Sequence, residues 1–178
     1  MAQSIKLGKL SGLRLIARPS ALAGTLLLWG VLSAAARWVF TLPLAVAIPA
    51  GLAATALHWV SEIFHQFGHA WAARRTGYSM TGILFWGVLT TSLYPPEEPA
   101  LPASIHIRRA LGGPAASFLL SLVAAALAAL LLPLGGVLRL LGAFFFLENL
   151  LVFALGSFLP LGFTDGSTLL AWWARHGK

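Results

Sequence analysis

The sequence predicts an all-α integral membrane protein of about four transmembrane helices with a short membrane-associated β-hairpin or re-entrant segment. Three observations carry that expectation. The 178 residues are 58% apolar and only 10% charged, with a mean hydropathy of +0.84, which is more hydrocarbon than one soluble core of this size can enclose. Several apolar runs reach the roughly 20 residues that cross about 30 Å of hydrocarbon as helix. The basic residues are also unevenly shared between the two ends of those runs. Lys6, Lys9, Arg14, Arg18, Arg74, Arg75, Arg108, Arg109, Arg175 and Lys178 fall to one side of a four-span arrangement, and Arg37 and Arg139 to the other. The positive-inside rule then puts both termini in the cytoplasm, with the chain multi-pass in the cell membrane. Residues 1–178 read as a single membrane-embedded domain.

Taken in order, Leu13-Arg14-Leu15-Ile16-Ala17-Arg18 alternates and stops at Pro19, the pattern of a short interfacial strand. The first span is expected over 20–40. Ser33-Ala34-Ala35-Ala36 faintly resembles a signal-peptidase site, but the apolar run resumes through Trp38, Val39 and Phe40, as in an uncleaved helix. A second span is expected over 44–74, with Pro43 at its start, Pro49 as a potential kink and Gly77 as its terminator. Residues 81–94 favour β-structure, are too short for a helical span and end at Pro95-Pro96, so a hairpin is expected there. The third and fourth spans are expected over 104–132 and 137–159, joined by a turn at Leu134-Gly135-Gly136, and a short helix over 166–175 follows.

The chain has no cysteine, which excludes disulfides and thiolate metal ligands. Any metal must be held by nitrogen and oxygen. The net charge of +7 does not point to nucleic acid, because the cations form neither a basic face nor a groove interleaved with aromatic residues. The lipid bilayer is the implied surrounding, and nothing in the sequence signals an oligomeric state.

The second span concentrates the chemistry. His58, Glu62, His65 and His69 are spaced i, i+4, i+7 and i+11, one stripe along a helix. Ionisable groups inside a membrane are costly unless paired, hydrated or bound to metal, so the stripe marks a functional site. Two imidazoles four residues apart can converge on one tetrahedral ion, and counting back from Arg74 places that ion about 8 to 14 Å from the cytoplasmic boundary. Hydrogen bonding between helices is the alternative, and it suits His58 best. Asp165, the chain's only aspartate, can supply a third ligand, although its local sequence taken alone favours an Asp-Gly turn or a helix cap. Glu148-Asn149 lies mid-span and needs a partner, with packing against the histidine helix as the expectation. Glu97-Glu98 reads as part of a solvated, proline-rich loop.

The run Phe64-His65-Gln66-Phe67-Gly68-His69-Ala70-Trp71-Ala72-Ala73-Arg74-Arg75 resembles the HExxH helix of the site-2 proteases, intramembrane zinc metalloproteases, at every position but Gln66. Gly113-Pro114-Ala115-Ala116-Ser117 is similar to the family's Gly-Pro-x-x-Asn. Ser157-Phe158-Leu159-Pro160 through Asp165-Gly166 is similar to its Asn-Leu-x-Pro run ending in Asp-Gly. The ordered trio is more specific than any one motif. The resemblance implies that His65, His69 and Asp165 hold Zn2+ and that residues 81–94 present a transmembrane or membrane-proximal substrate as an extended strand. It implies further that Gly113, Pro114, Ser117 and Ser157 lie at the substrate or its oxyanion.

The departures bear on activity. In the family the glutamate after the first histidine removes the proton of the attacking water; Gln66 can orient a water but cannot take its proton. Ser117 and Ser157 stand where the family has asparagines, with a donor hydroxyl of shorter reach. Glu62, one turn before Gln66, is a candidate substitute base or a partner fixing a histidine tautomer. The sequence therefore predicts a site-2 protease-like metalloprotease, impaired or inactive as written, or a silent pseudoprotease that binds transmembrane partners. Metal transport along the histidine stripe is a third reading, but it leaves the Gly113-Pro114 and Asp165-Gly166 matches without a purpose.

Overall fold

The computed structural model describes residues 4–175, so Lys178 lies outside the described residues. Among these, four helices are long and apolar enough to cross a membrane: Pro19–Trp38, Leu44–Arg75, Ala103–Leu134 and Gly136–Phe158. The regular α-helical parts are α1 (Pro19–Trp38), α2 (Leu44–Arg75), α3 (Ala103–Leu131) and α4 (Gly136–Leu147), followed by a short α5 (Asp165–Trp173). The fourth long helix is not uniform. After Leu147 it widens into a π-helical segment, Glu148–Leu155, and tightens into a 3₁₀ turn, Gly156–Phe158. Such local widening turns side chains out of the α-helical phase and recurs at functional sites.

The surface is inverted relative to a soluble protein. Leu22 and Leu27 on α1 are each 67% exposed, and Leu119, Val123 and Leu130 on α3 are exposed, whereas buried positions of α2 include His58, Glu62, His65, Gln66 and His69. That is the distribution expected where hydrocarbon is the solvent and polar groups must be satisfied internally. It makes the chain a membrane protein with its chemistry inside.

Four strands form one sheet in the order β1 (Ile5–Leu10), β2 (Leu13–Ala17), β3 (Gly82–Trp86), β4 (Leu89–Leu93). The strand expected at Leu13 and the hairpin expected over 81–94 are present. Their union is the unforeseen part, because β2 and β3 pair in parallel, Arg14 opposite Gly82 through Ala17 opposite Phe85. Parallel neighbours need a crossover, and here α1 and α2 together supply it. The sheet packs on these helices through Leu13, Ile83 and Phe85 against Ala21, Ala70 and Ala73.

Small residues let α2 and α3 touch. A Cβ at Gly68 would strike the Gly112 carbonyl and the Ala116 methyl, and one at Gly112 would strike the Gly68 carbonyl. This close approach carries the α3 backbone to within hydrogen-bonding range of the α2 histidines. Gly24 is confined in the same way against the backbone of Gly87, which seats the β3–β4 turn on α1.

Candidate metal centre

Three elements meet at one point. His65 and His69 project from α2, and Asp165 arrives on the first residue of α5. The cap position of α5 is Thr164, so the Asp165 carboxylate is not used as a cap and turns to the histidines. His65 Nε2 lies 3.1 Å from Asp165 Oδ2, His69 Nε2 lies 3.2 Å from Oδ1, and the two Nε2 atoms are 3.0 Å apart. All three side chains are largely buried, with Asp165 the most open at 15%.

The outer nitrogens define the chemistry of the inner ones. His69 Nδ1 donates to the Arg109 carbonyl at 2.8 Å, and a carbonyl only accepts, so in the neutral ring Nε2 carries a lone pair. His65 Nδ1 meets Ser117 Oγ at 2.9 Å, a hydroxyl that can donate or accept, so this contact holds the second ring in place without choosing its tautomer. Two imidazole nitrogens, that of His69 with a lone pair, and a carboxylate thus converge in one pocket, a set of donor atoms of the kind that holds a divalent cation. Ligand atoms around a tetrahedral zinc ion stand about 3.3 Å from one another, close to the separations here. A Cβ on Gly113 would fall on the Nε2 atoms of both histidines. The donor set and the room left by Gly113 fit a zinc ion, with His65, His69 and Asp165 as its ligands. Gly113→Ala is accordingly expected to weaken zinc binding at least about tenfold, within the range for perturbing a metal site's surroundings, while circular dichroism shows unchanged helix content. Chelator competition measures the first part.

The polar stripe of α2 divides in two. His65 and His69 face α3 and α5, whereas His58, Glu62 and Gln66 face the edge strand β4 and the turn before it. His58 Nε2 donates to the Val88 carbonyl at 2.8 Å, Thr90 Oγ1 donates to Glu62, and Ser92 Oγ donates to Gln66 Oε1 at 2.7 Å. Every fourth helix residue thus meets every second strand residue. The match is possible because four helical residues rise about 6.0 Å and two strand residues about 6.7 Å. The other nitrogen of His58 bonds Glu148 Oε1 at 2.8 Å, and Asn149 Nδ2 donates to Ser61 Oγ at 2.9 Å, so the mid-span pair does pack against the histidine helix.

Several expected roles are redistributed. Ser117 is fully buried behind His65, so its hydroxyl orients a histidine instead of facing a substrate. Ser157 lines the central cavity, but its hydroxyl donates to the Ala154 carbonyl at 3.0 Å. Pro114 is buried within α3 one residue beyond Gly113. Glu62 bonds neither metal-site histidine; the Arg109 carbonyl sets the tautomer of His69, Ser117 holds the His65 ring, and Glu62 is held by Thr90. Arg109, grouped above with the interfacial cations, is only 4% exposed, and Glu98 is bonded to it instead of lying free in a solvated loop.

A cavity of about 670 Å³ opens in front of the centre. Edge strand β4 forms one wall through Leu89, Thr90 and Thr91, and the π-helical segment with the chain beyond it forms the other through Val152, Leu159 and Phe163. His65, Gln66, His69 and Asp165 lie among its lining.

The same fold occurs in a site-2 protease. A solved structure titled Site-2 Protease from Methanocaldococcus jannaschii superposes with a TM-score of 0.65, over 97% of this chain and 73% of that one. At 18% identity the likeness is one of fold. No protein-family model and no curated protein matches the sequence. The site-2 protease fold, a bundle of apolar helices with a small sheet at one side, is therefore established by shape, and the chemistry rests on the residues.

Proposed function

We propose that this chain is a zinc-binding, site-2 protease-like protein whose cavity receives an extended stretch of a transmembrane or membrane-proximal polypeptide. The observation that carries the reading is the convergence of two imidazole nitrogens and one carboxylate in a buried pocket beside an open strand edge. A zinc ion held there supplies Lewis acidity toward water and toward a peptide carbonyl. The chain's own residues do the rest. Strand β4, last in the sheet and walling the cavity, offers its outer edge to an incoming backbone, which holds a peptide without demanding a particular sequence. Gln66 orients a water or a carbonyl through its amide. Among the carboxylates lining the cavity, Asp165 is committed to the histidines and Glu98 to Arg109, which leaves Glu62 as the group able to accept a proton.

Hydrolysis is slow or absent as the chain stands, because no carboxylate occupies position 66. The test is cleavage of a reconstituted membrane-spanning peptide by the Gln66→Glu chain. A second reading, a silent binder of transmembrane partners, is favoured by one observation: the Ser92 hydroxyl occupies the Gln66 oxygen and the Ser117 hydroxyl is spent on His65. Inactivity of the Gln66→Glu chain, together with recovery of an uncut membrane partner, would select it.

In either reading the chain crosses the membrane four times with both termini in the cytoplasm. A cysteine-free protein makes this simple to check. Single cysteines at Lys9 and Arg139 are expected to react with a membrane-impermeant maleimide from opposite faces of the cell membrane. Labelling of both from one face overturns the topology.

A further inference from the structure

The Arg109 guanidinium sits at the edge of the cavity in an unusual setting. Its Nη1 and Nη2 donate to the two oxygens of Glu98 at 2.9 and 2.5 Å, and Nη2 also donates to the Tyr78 carbonyl at 2.6 Å. The Tyr94 ring covers it, with Cζ 4.1 Å from the ring centroid, and Tyr78 flanks it at 5.9 Å. Its Nε is buried without a hydrogen-bond partner. Arg109, Glu98 and Tyr94 line the same cavity as the histidines, and the Arg109 carbonyl is the acceptor for His69.

Stability is a weak explanation for this pair, since the desolvation of a buried ion pair offsets most of its attraction. Recognition is a better one: a planar fork of donors matches any carboxylate bidentately. Glu98 itself belongs to the segment between β4 and α3, where Pro96, Glu97, Pro99 and Ala100 are all exposed. Hydrogen bonds from Arg109 hold its carboxyl below the usual range, so it is ionised and fits the fork as a ligand carboxylate would. A loop residue of this kind can be displaced with little disturbance to the fold.

We propose that Arg109, walled by Tyr94 and Tyr78, is a carboxylate-binding subsite of the cavity, which Glu98 fills until a carboxylate-bearing peptide takes its place. The inference rests on the reading that the cavity receives an extended peptide. The carboxylate is either a free C-terminus or an acidic side chain, and the remainder of the ligand is apolar, to suit Leu89, Val152, Leu159 and Phe163. Arrival of such a ligand frees the segment that joins the edge strand to α3.

The test uses the full chain in detergent and three fluorescent apolar octapeptides: one with a free C-terminus, one amidated, and one amidated with a single internal glutamate. In the Glu98→Ala chain at least one acidic peptide is expected to bind about tenfold or more tightly than it binds the unchanged chain, the amidated neutral peptide equally, and Glu97→Ala is expected to change nothing. Preference for the first or the third peptide assigns the carboxylate to a terminus or to a side chain. Equal affinity of the Glu98→Ala chain for acidic and neutral peptides overturns the subsite alone. Failure of every chain to bind any peptide overturns both the subsite and the peptide reading of the cavity.

Discussion

Exchange of Gln66 for glutamate is expected to raise the rate of peptide cleavage by about 10² to 10⁴, the contribution of a positioned general base. The exchange is isosteric, and the bond that holds the residue survives it: Ser92 Oγ now donates to an amide oxygen and would donate equally to a carboxylate. What changes is the capacity to take a proton beside His65. Mass spectrometry of a reconstituted transmembrane peptide, with and without chelator, measures the effect. A gain confined to chelator-free samples supports the metalloprotease reading. No gain, in a chain that still binds zinc, moves the protein to the silent-binder class, and Glu62→Gln then has nothing to remove.

The second large effect concerns metal content. The purified chain is expected to hold about one zinc ion, and His65→Ala or Asp165→Ala should lower affinity by more than about 100-fold, because two remaining ligands do not make a tetrahedral site. Ser117→Ala removes only the group that orients His65, and a loss of about 10- to 100-fold is expected, as for comparable outer contacts. Elemental analysis after equilibration against graded chelator separates the two classes. Equal zinc in the unchanged and His65→Ala chains would end the metal reading altogether.

Where the sequence was legible, local chemistry was the reason. Each long helix advertises itself by an apolar run long enough to span a bilayer, and the β3–β4 hairpin by a β-favouring run ended by Pro95-Pro96. Strand β1 carried no such signal, since it is exposed along its whole length and its register slips between Lys6 and Gly8. The parallel union of β2 with β3 is a tertiary contact between distant segments, beyond the reach of any local pattern. At the site, His65 and His69 compress their message into five residues, whereas Asp165 sits in a local sequence that suits a turn, and the resemblance is what raised it above that reading. Arg109 was hidden among cations that fit the topology rule. Nothing local separated it from its neighbour: Arg74 and Arg75, an adjacent pair on α2, are both exposed, whereas of Arg108 and Arg109 only Arg108 is. The burial of Ser117 was not legible, because a hydroxyl facing a substrate and one facing an imidazole look alike in sequence.

The pairing of residues 58, 62 and 66 on α2 with 88, 90 and 92 behaves as a vernier. Two scales that differ by about 0.7 Å per division stay in step for two divisions, and a further one leaves a misfit of about 2 Å, too much for a direct hydrogen bond. The ladder of direct hydrogen bonds ends at Ser92, since the next helix position is Ala70, and Tyr94 packs on the cluster around Ala70 and Ala73 with its ring over Arg109. Pro95-Pro96 ends the strand, while the mismatch between helix and strand limits the number of hydrogen-bonded rungs, and lengthening β4 by two residues would add strand without adding such a rung.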